Sequence, residues 1–112
     1  MAQTTVPKKY WGLALGEISL CACDSRVSIA ISGEEIDGEM EAKPAPIWGM
    51  SYDPKGDALA FDTENLKRRI TNPKQIDLTH EGVTISILTI TAADNRRHFL
   101  NFCPPLALGT NR

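Results

Sequence analysis

The stretch from Gln75 to Phe102 constrains the fold of this chain more than any other feature. Apolar and polar residues alternate along it, β-branched types dominate, and two turn signals, His80-Glu81-Gly82 and Ala93-Asp94-Asn95, interrupt the run. A period of two residues places alternate side chains on opposite faces of a strand. The stretch is therefore predicted to form a meander of three strands.

The apolar phase slips within the middle strand of this meander. Ile85 and Ile87 give way to Leu88 and Ile90, so that the alternation changes register. A β-bulge, or burial of both faces of the strand, explains such a slip. Together with a second bend signal at Pro44–Pro46, it favours a strongly curved sheet.

Strand patterning also precedes the meander. Pro54 and Gly56 indicate a tight turn after Tyr52, because proline presets φ and glycine supplies a positive φ. Asn65–Ile70 fits either one helical turn or an extended crossing. The upstream strands are predicted at Arg26–Ser32, from Ile36 to about Ala42, at Ile47–Tyr52 and at Ala58–Asp62.

The N-terminal region carries a helical signal. Trp11, Leu15 and Ile18 follow each other at spacings of four and three, and Pro7 lies near the predicted first turn, where its missing N–H is harmless. The predicted fold is therefore mainly β (α+β), with one N-terminal helix on a single strongly curved antiparallel sheet or a small partly open barrel of about six strands. We expect residues 1–112 to form one domain.

Charge and composition exclude several classes of function. Twelve basic and fourteen acidic residues leave a net charge of −2, so no strong global field favours nucleic acid or an anionic membrane. The sequence shows no apolar run long enough to span a bilayer and no secretory signal. Three cysteines cannot form a complete disulfide framework within one chain, so we expect a reducing, cytoplasmic location.

The residues with catalytic or metal-binding chemistry are scattered. Cys21 and Cys23 are separated by one residue, whereas metal knuckles usually have two between their thiols. Cys103, His80 and His98 lack a local signature for a nucleophile or a zinc site, and both histidines are expected at the surface. No cofactor or metal is expected, and a metal- or thiol-dependent enzyme is kept as an alternative.

Acidic residues cluster before the middle of the chain. Asp37, Glu39 and Glu41 are predicted to line one outward strand face, where water relieves their mutual repulsion. The chelating loop of a calcium site is missing, so a solvated face is favoured over a bridging cation.

Basic and aromatic residues supply the candidate contact surfaces. The run Lys67-Arg68-Arg69 concentrates positive charge, and we predict that arginines of the last hairpin lie near it. Two aromatic residues of one strand are predicted to share a face close to these basic residues. The candidate contacts with a protein partner or with nucleic acid are Trp48, Tyr52, Lys67, Arg68, Arg69, Arg96 and Arg97.

Three pieces of the chain carry a resemblance to a known family. They are Trp11, the segment Ile47–Leu59 with its Tyr-Asp-Pro-Lys turn, and the step Ile70–Ile76 that leads into the final hairpin. Together they resemble a family of short bacterial proteins catalogued as a domain of unknown function (number 5335). The resemblance implies a shared fold over roughly Trp11 to Phe102 and carries over no catalytic residue. The sequence departs from it at Arg68-Arg69, where the resemblance leads us to expect a histidine.

The sequence thus predicts a non-enzymatic binding or interaction module that acts through surface contacts with a protein partner or with its own copies. The edge around Pro44–Pro46 and the face expected to carry Trp48 and Tyr52 are the candidate surfaces, since an exposed edge invites strand addition. The alternative from another class is a small nucleic-acid-binding β-barrel that uses the basic residues.

Overall fold

A computed structural model describes residues 2–21, 26–32, 39–63 and 67–107 of the chain. A 3-10 turn at Lys8–Tyr10 leads into helix α1, Trp11–Cys21. The strands are β1 Ala2–Thr5, β2 Arg26–Ser32, β3 Glu39–Asp53, β4 Ala58–Thr63, β5 Lys67–Thr71, β6 Gln75–Glu81, β7 Thr84–Thr91 and β8 Arg97–Ala107. The start of the strand predicted from Ile36 lies outside the described residues.

The helix lies where the apolar spacing predicted it. Trp11, Leu15 and Ile18 are almost fully buried, and α1 packs mainly against β3. The indole of Trp11 donates to the carbonyl oxygen of Val6 over 2.8 Å, so the ring also satisfies its polar atom. Within the described part of the chain, no helix has both the length and the apolar character needed to cross a membrane.

The described strands form one antiparallel sheet in the order β1-β6-β7-β8-β2-β3-β4-β5. The mainly-β class and the single N-terminal helix are confirmed, but the estimate of about six strands is too low, because eight are present in the described residues. The additional strands are short and polar. β1 has no apolar alternation, and β5 is dominated by basic residues, so neither carries the pattern by which strands are recognised.

Strand β3 continues through the stretch that was expected to break it. Its first half pairs with β2, as far as Pro46 opposite Arg26, and its second half pairs with β4, from Ile47 opposite Thr63. Proline cannot donate to a ladder, and here the two prolines stand where the strand changes partner. Consequently the stretch around Pro44–Pro46 is paired with β2, and the terminal strands of the sheet are β1 and β5.

The predicted phase slip in the last meander is a β-bulge. Thr79 pairs with Ile87 and His80 pairs with Ile85, which leaves Ser86 as the extra residue of β7. Ile85 on one side of the bulge and Leu88 on the other are then both buried. A single inserted residue thus keeps the apolar side chains on the core face.

A second bulge, at Trp48, changes the predicted placement of the aromatic residues. Ile47 pairs with Thr63 and Gly49 with Asp62, so Trp48 is the extra residue of β3. Ile47 is buried, whereas the Trp48 side chain is 65% exposed. The prediction of a common face for Trp48 and Tyr52 is therefore wrong, because the bulge shifts the alternation between them.

The core unites the inner face of the sheet with the helix. It is built from aliphatic side chains with three aromatic rings at its centre and rim. Its buried members are Val6, Trp11, Leu15, Ile18, Val27, Ile29, Ile47, Met50, Leu59, Phe61, Ile70, Ile76, Ile85, Leu88, Ile90, Ala92, Leu100, Phe102 and Leu106.

The β3–β4 turn is fixed by Asp57 and not by Gly56 as predicted. Asp57 has a positive φ of 48°, a conformation that aspartate tolerates better than most residues. Its carboxylate accepts a 2.6 Å hydrogen bond from the Tyr52 hydroxyl and lies 3.2 Å from Nζ of Lys8. The Tyr52 ring meets the Trp11 ring edge to face, with 5.2 Å between centroids. The turn is thereby tied to the start of the helix.

Two leucines of α1 provide a matched test of the packing. Leu15 is fully buried and Leu13 is 68% exposed, although both lie within the same helix. We expect Leu15→Ala to lower the free energy of unfolding by about 2–5 kcal/mol, since it removes buried methyl groups and leaves a cavity. Leu13→Ala makes the same change in helix propensity and is expected to stay within about 0.5 kcal/mol. Urea unfolding curves measure both, and equal losses would contradict the placement of the helix.

The Tyr52–Asp57 hydrogen bond predicts a displaced phenol titration. The bond to Asp57 raises the pKa of Tyr52 to about 12, with burial and the Asp57 charge acting in the same direction. In a Tyr10→Phe variant, where Tyr52 is the remaining tyrosine, phenolate absorbance should have its midpoint there. Adding Asp57→Asn removes the carboxylate charge and should move the midpoint toward the ordinary value of about 10.

The pKa shifts of Tyr52 and Asp57 determine how the free energy of unfolding depends on pH. The contribution of protonated Tyr52 is present below pH 10 and is lost as the pH rises toward about 12. The pKa of Asp57 is lowered by the hydrogen bond from Tyr52, so its contribution is lost as the pH falls below the ordinary aspartate range. Identical titration midpoints with and without Asp57 would refute the bond.

Candidate anion-binding cleft

A cleft of about 370 Å³ opens between β5 and the turn that joins β7 to β8. β5 is far from β7 and β8 in the order of the sheet, so the curvature of the sheet must bring β5 back toward the middle of the sheet. Positively charged and ionisable side chains are the dominant polar groups. The cleft is lined by Arg68, Arg69, Ile70, Thr71, Ala92, Ala93, Asp94, Arg96 and His98.

Strand β5 divides the basic run between its two faces. Arg68 is opposite Phe61 and Arg69 is opposite Ala60, so the two arginines point to opposite sides of the sheet. Arg68 shares the inner side with buried Ile70 and is half-buried, whereas Arg69 is exposed. Burial lowers the pKa of Arg68, but an arginine remains charged at neutral pH.

The β7–β8 turn holds Arg96 at the opposite wall. The backbone N–H of Arg96 donates to a carboxylate oxygen of Asp94 over 3.0 Å, and its Nε lies 3.5 Å from the other oxygen. The backbone N–H of Ala92 donates to the Arg96 carbonyl oxygen over 2.8 Å. Asn95 adopts a positive φ of 71° and accepts a hydrogen bond from Nζ of Lys74. The conformation of this turn is therefore well determined by local bonds.

His98 lies at the inner wall of the cleft. It is 5% exposed, and its Nδ1 atom is buried without a hydrogen-bond partner among the described residues. Burial is the main cause that lowers its pKa, the charges of Arg68 and Arg96 lower it further, and Asp94 acts in the opposite direction. The expectation of a surface histidine is thus wrong for His98, because its strand turns it toward the core side together with Leu100.

The chemistry of the cleft suits a negatively charged group. A neutral buried imidazole without a fixed partner can present one N–H, and leaving such a group unsatisfied costs about 1–3 kcal/mol. The arginines around it supply charge and several N–H donors in a planar arrangement that matches an oxyanion. Asp94 neutralises part of this charge, so the cleft is moderately cationic.

The remaining predicted contact residues lie elsewhere. Arg97 faces the other side of the sheet, where it lines a second cleft of about 250 Å³ with Phe99 and Thr91. Lys67 is exposed on the same face of β5 as Arg69 but does not line the cationic cleft. Tyr52 is engaged with Trp11 and Asp57, and Trp48 is exposed. The structure thus brings Arg68 and Arg96 together beside His98. Arg69 lines the same cleft from the other face of β5, with its guanidinium near Gly56 of the β3–β4 turn, and the other candidates lie elsewhere.

Two residues of the cleft were missed as site residues. His98 was recognised only as a possible nucleophile or ligand, and Asp94 only as a turn residue. The sequence does hold a signal for His98, because it occupies the same phase of β8 as Leu100 and Phe102. A histidine in the apolar phase of a strand is directed toward the core.

The other reactive groups do not converge. The side chain of His80 contacts the hydroxyl of Thr4 at 2.7 Å and the carbonyl oxygen of Gly82 at 2.9 Å, as expected for a hydrogen-bonded histidine. His80 and His98 pair with β7 residues five positions apart, which corresponds to about 16 Å. Cys103 is a free, exposed thiol. In the described ranges, no group of three histidine, cysteine or acidic side chains is placed to hold a metal ion.

Several predicted features fall outside this description. Cys23 and Asp37 lie outside the described residues. The expectations for the cysteine pair and for the outward acidic face therefore stay predictions.

Known proteins resemble this chain over nearly its whole length. An uncharacterised protein of Aquifex aeolicus (strain VF5) is 27% identical over 109 residues, which cover 96% of this chain and 98% of that protein. No solved structure matches the chain. A model of the family described as "Family of unknown function (DUF5335)" matches residues 2–111, which include every strand described above. The chain therefore belongs to the DUF5335 family.

Proposed function

We propose that this protein is a non-enzymatic, cytoplasmic binding module that receives a carboxylate-bearing segment of a protein partner in the cationic cleft. The observation that carries the proposal is the buried imidazole of His98, whose Nδ1 has no partner, in a cleft lined by Arg68, Arg69 and Arg96. A bound carboxylate offers acceptors to the arginine donors and offsets the repulsion between the arginine charges.

Moderate charge supports a carboxylate ligand over a nucleic acid. The chain carries a net charge of −2, and Asp94 lies within the cleft, where it would repel a dense phosphate backbone. Single-strand binders also stack bases on exposed rings beside the basic groove. Tyr52 is edge to face with the buried Trp11 instead, and Arg97 lies on the other side of the sheet.

The dispersion of the reactive groups supports a binding role over catalysis. The two histidines pair with residues of β7 that are five positions apart. Cys103 is exposed on β8, where it lies opposite Arg26 of β2. General acid–base or nucleophilic catalysis needs such groups within hydrogen-bond reach of one another. Within the cleft, the ionisable neighbours of His98 are Arg68, Arg96 and Asp94. The arginines bind anions but do not exchange protons at neutral pH, and Asp94 is bonded to the backbone and side chain of Arg96.

Citrate, a small tricarboxylate, is the probe that tests the cleft. At constant ionic strength, citrate should shift the imidazole resonances of His98 saturably in an NMR titration and leave those of His80 in place. A bound negative charge favours the imidazolium, so the pKa of His98 should rise on binding, and citrate affinity should increase as the pH falls. A citrate affinity that does not change with pH would contradict the role of His98.

Neighbouring arginines on opposite faces give the matched control. Arg96→Gln removes a charge from the cleft and should weaken citrate binding about three- to fivefold, the scale of a partly exposed ion pair. Arg97→Gln removes the same charge from the other side of the sheet and should change the affinity by less than about twofold. Equal weakening by both variants would show that citrate responds only to net charge and would overturn the proposal.

A further inference from the structure

Strand β5 is a terminal strand of the sheet and also a wall of the cationic cleft. It pairs with β4 on one side, and no strand in the described part of the chain pairs with its other side. An unpaired strand edge presents a row of backbone donors and acceptors that can accept another extended chain. In this protein that row lies at the opening of the cleft.

The register determines which backbone groups are directed outward. The N–H of Asn72 donates to the carbonyl oxygen of Asp57 over 2.7 Å, which continues the ladder that pairs Ile70 with Leu59. In an antiparallel pair, residues alternate between those that bond to the partner strand and those whose N–H and C=O point away from it. Arg69 and Thr71 are therefore the residues that direct their backbone groups to the free edge, together with Lys67.

The side chains beside this edge are basic on both faces. Arg68 lies on the inner side, toward His98, and Lys67 and Arg69 lie on the outer side. A strand added here would place alternate side chains next to each of these groups, and opposite charges across neighbouring strands are favourable. The complementary segment therefore carries acidic residues on both of its faces.

The other end of the sheet lacks these properties. β1 is Ala-Gln-Thr-Thr, without a basic residue, and Thr5 donates a hydrogen bond to the buried Asp77 of the neighbouring strand. An acidic segment would meet a negative charge there, and β1 itself offers no basic side chain to compensate for it. The charge thus distinguishes between the two ends of the sheet.

We infer that the ligand of the cleft is an extended acidic segment of a partner protein, which adds to the free edge of β5 as a further strand. This inference rests on the proposed function and extends it, because it assigns backbone hydrogen bonds to Arg69 and Thr71 in addition to the side-chain contacts of the cleft. The main chain of the segment supplies affinity along β5, and its carboxylates supply specificity at Arg68, Arg69 and Arg96.

Backbone methylation of a probe peptide separates strand addition from charge attraction. The probe is an acetylated and amidated hexaglutamate, which carries carboxylates on both faces of an added strand, and its binding is followed by isothermal titration calorimetry. N-methylation of alternate amides in one phase should weaken binding about tenfold or more, since it removes the donors that face β5. Methylation in the other phase keeps those donors and should have less than about a threefold effect. Equal effects in the two phases would overturn the inference.

A proline on the protein side provides the reciprocal test. Thr71→Pro removes an outward N–H that β4 does not use, and should weaken binding of the hexapeptide about fivefold, the usual net value of one hydrogen bond. Thr71→Val removes the same hydroxyl from the cleft lining but keeps the N–H, so it should bind the peptide about fivefold more tightly than Thr71→Pro. Urea unfolding of both variants verifies that they are folded. Loss of peptide binding in both variants, or in neither, would contradict a bond from Thr71.

Citrate distinguishes failure of this inference from failure of the proposed function. Citrate has no backbone to pair with β5, so Thr71→Pro should weaken citrate binding no more than Thr71→Val does, because both variants remove the same hydroxyl from the cleft lining. Citrate binding that depends on Arg96, together with a peptide insensitive to both methylation patterns, would retain the anion-binding function and refute strand addition. Absence of both citrate and peptide binding would refute both.

Discussion

The double pairing of β3 is the constraint on which the rest of the molecule depends. One strand serves β2 with its first half and β4 with its second half, and the change of partner occurs at Pro46 and Ile47. Because strands twist, a sheet that changes partner along a single strand must also change direction. The helix packs against this strand and closes the core over the bend. Without the bend, β5 would lie far from the β7–β8 turn and the cationic cleft would not form.

The cleft combines groups that belong to different strands and to a turn. Arg68 is partly buried beside Phe61, Arg96 is bonded within its own turn, and His98 is buried among aliphatic side chains of the core face. Their proximity is what confers a binding capacity. The low pKa of His98 keeps the imidazole neutral while the cleft is empty, which limits the repulsion among the cations. The binding of a carboxylate would therefore require little reorganisation of the charged groups in the cleft.

Local sequence patterns predicted those parts of the fold that local physics determines. The stripe Trp11, Leu15 and Ile18 is sufficient to specify a helix that packs on a sheet, and the phase slip before Leu88 revealed the bulge within about one residue of Ser86. The family resemblance was likewise recognisable from turn and core residues. For Asn65–Ile70 the sequence left one helical turn and an extended crossing open, and the extended alternative is the one found, since β5 spans Lys67–Thr71. Its membership of the sheet could not be predicted, because its basic side chains conceal an alternation that only pairing with β4 establishes.

The site was only partly predictable for the same reason. Arg68, Arg69 and Arg96 were among the candidates because charge runs are visible in the sequence, but their separation from Arg97 depends on strand register. Trp48 was paired with Tyr52 because an unbroken period of two was assumed, and one extra residue in β3 reversed that assignment. His98 entered the site through sheet curvature, which no short window of sequence contains.

The attachment of β5 has a consequence for cooperativity. Among the described strands, β4 and β5 form a hairpin whose backbone pairs with the rest of the sheet through β3, with additional support from Lys8 and Trp11 at the Asp57 turn. Such a hairpin is a natural unit of sub-global opening, which exchanges its amides without unfolding of the β6–β8 meander. An occupant of the cleft would bridge β5 to the β7–β8 turn and thus merge the two units. Binding of a ligand in the cleft should then slow amide exchange throughout β4, including at strand positions that the ligand does not contact.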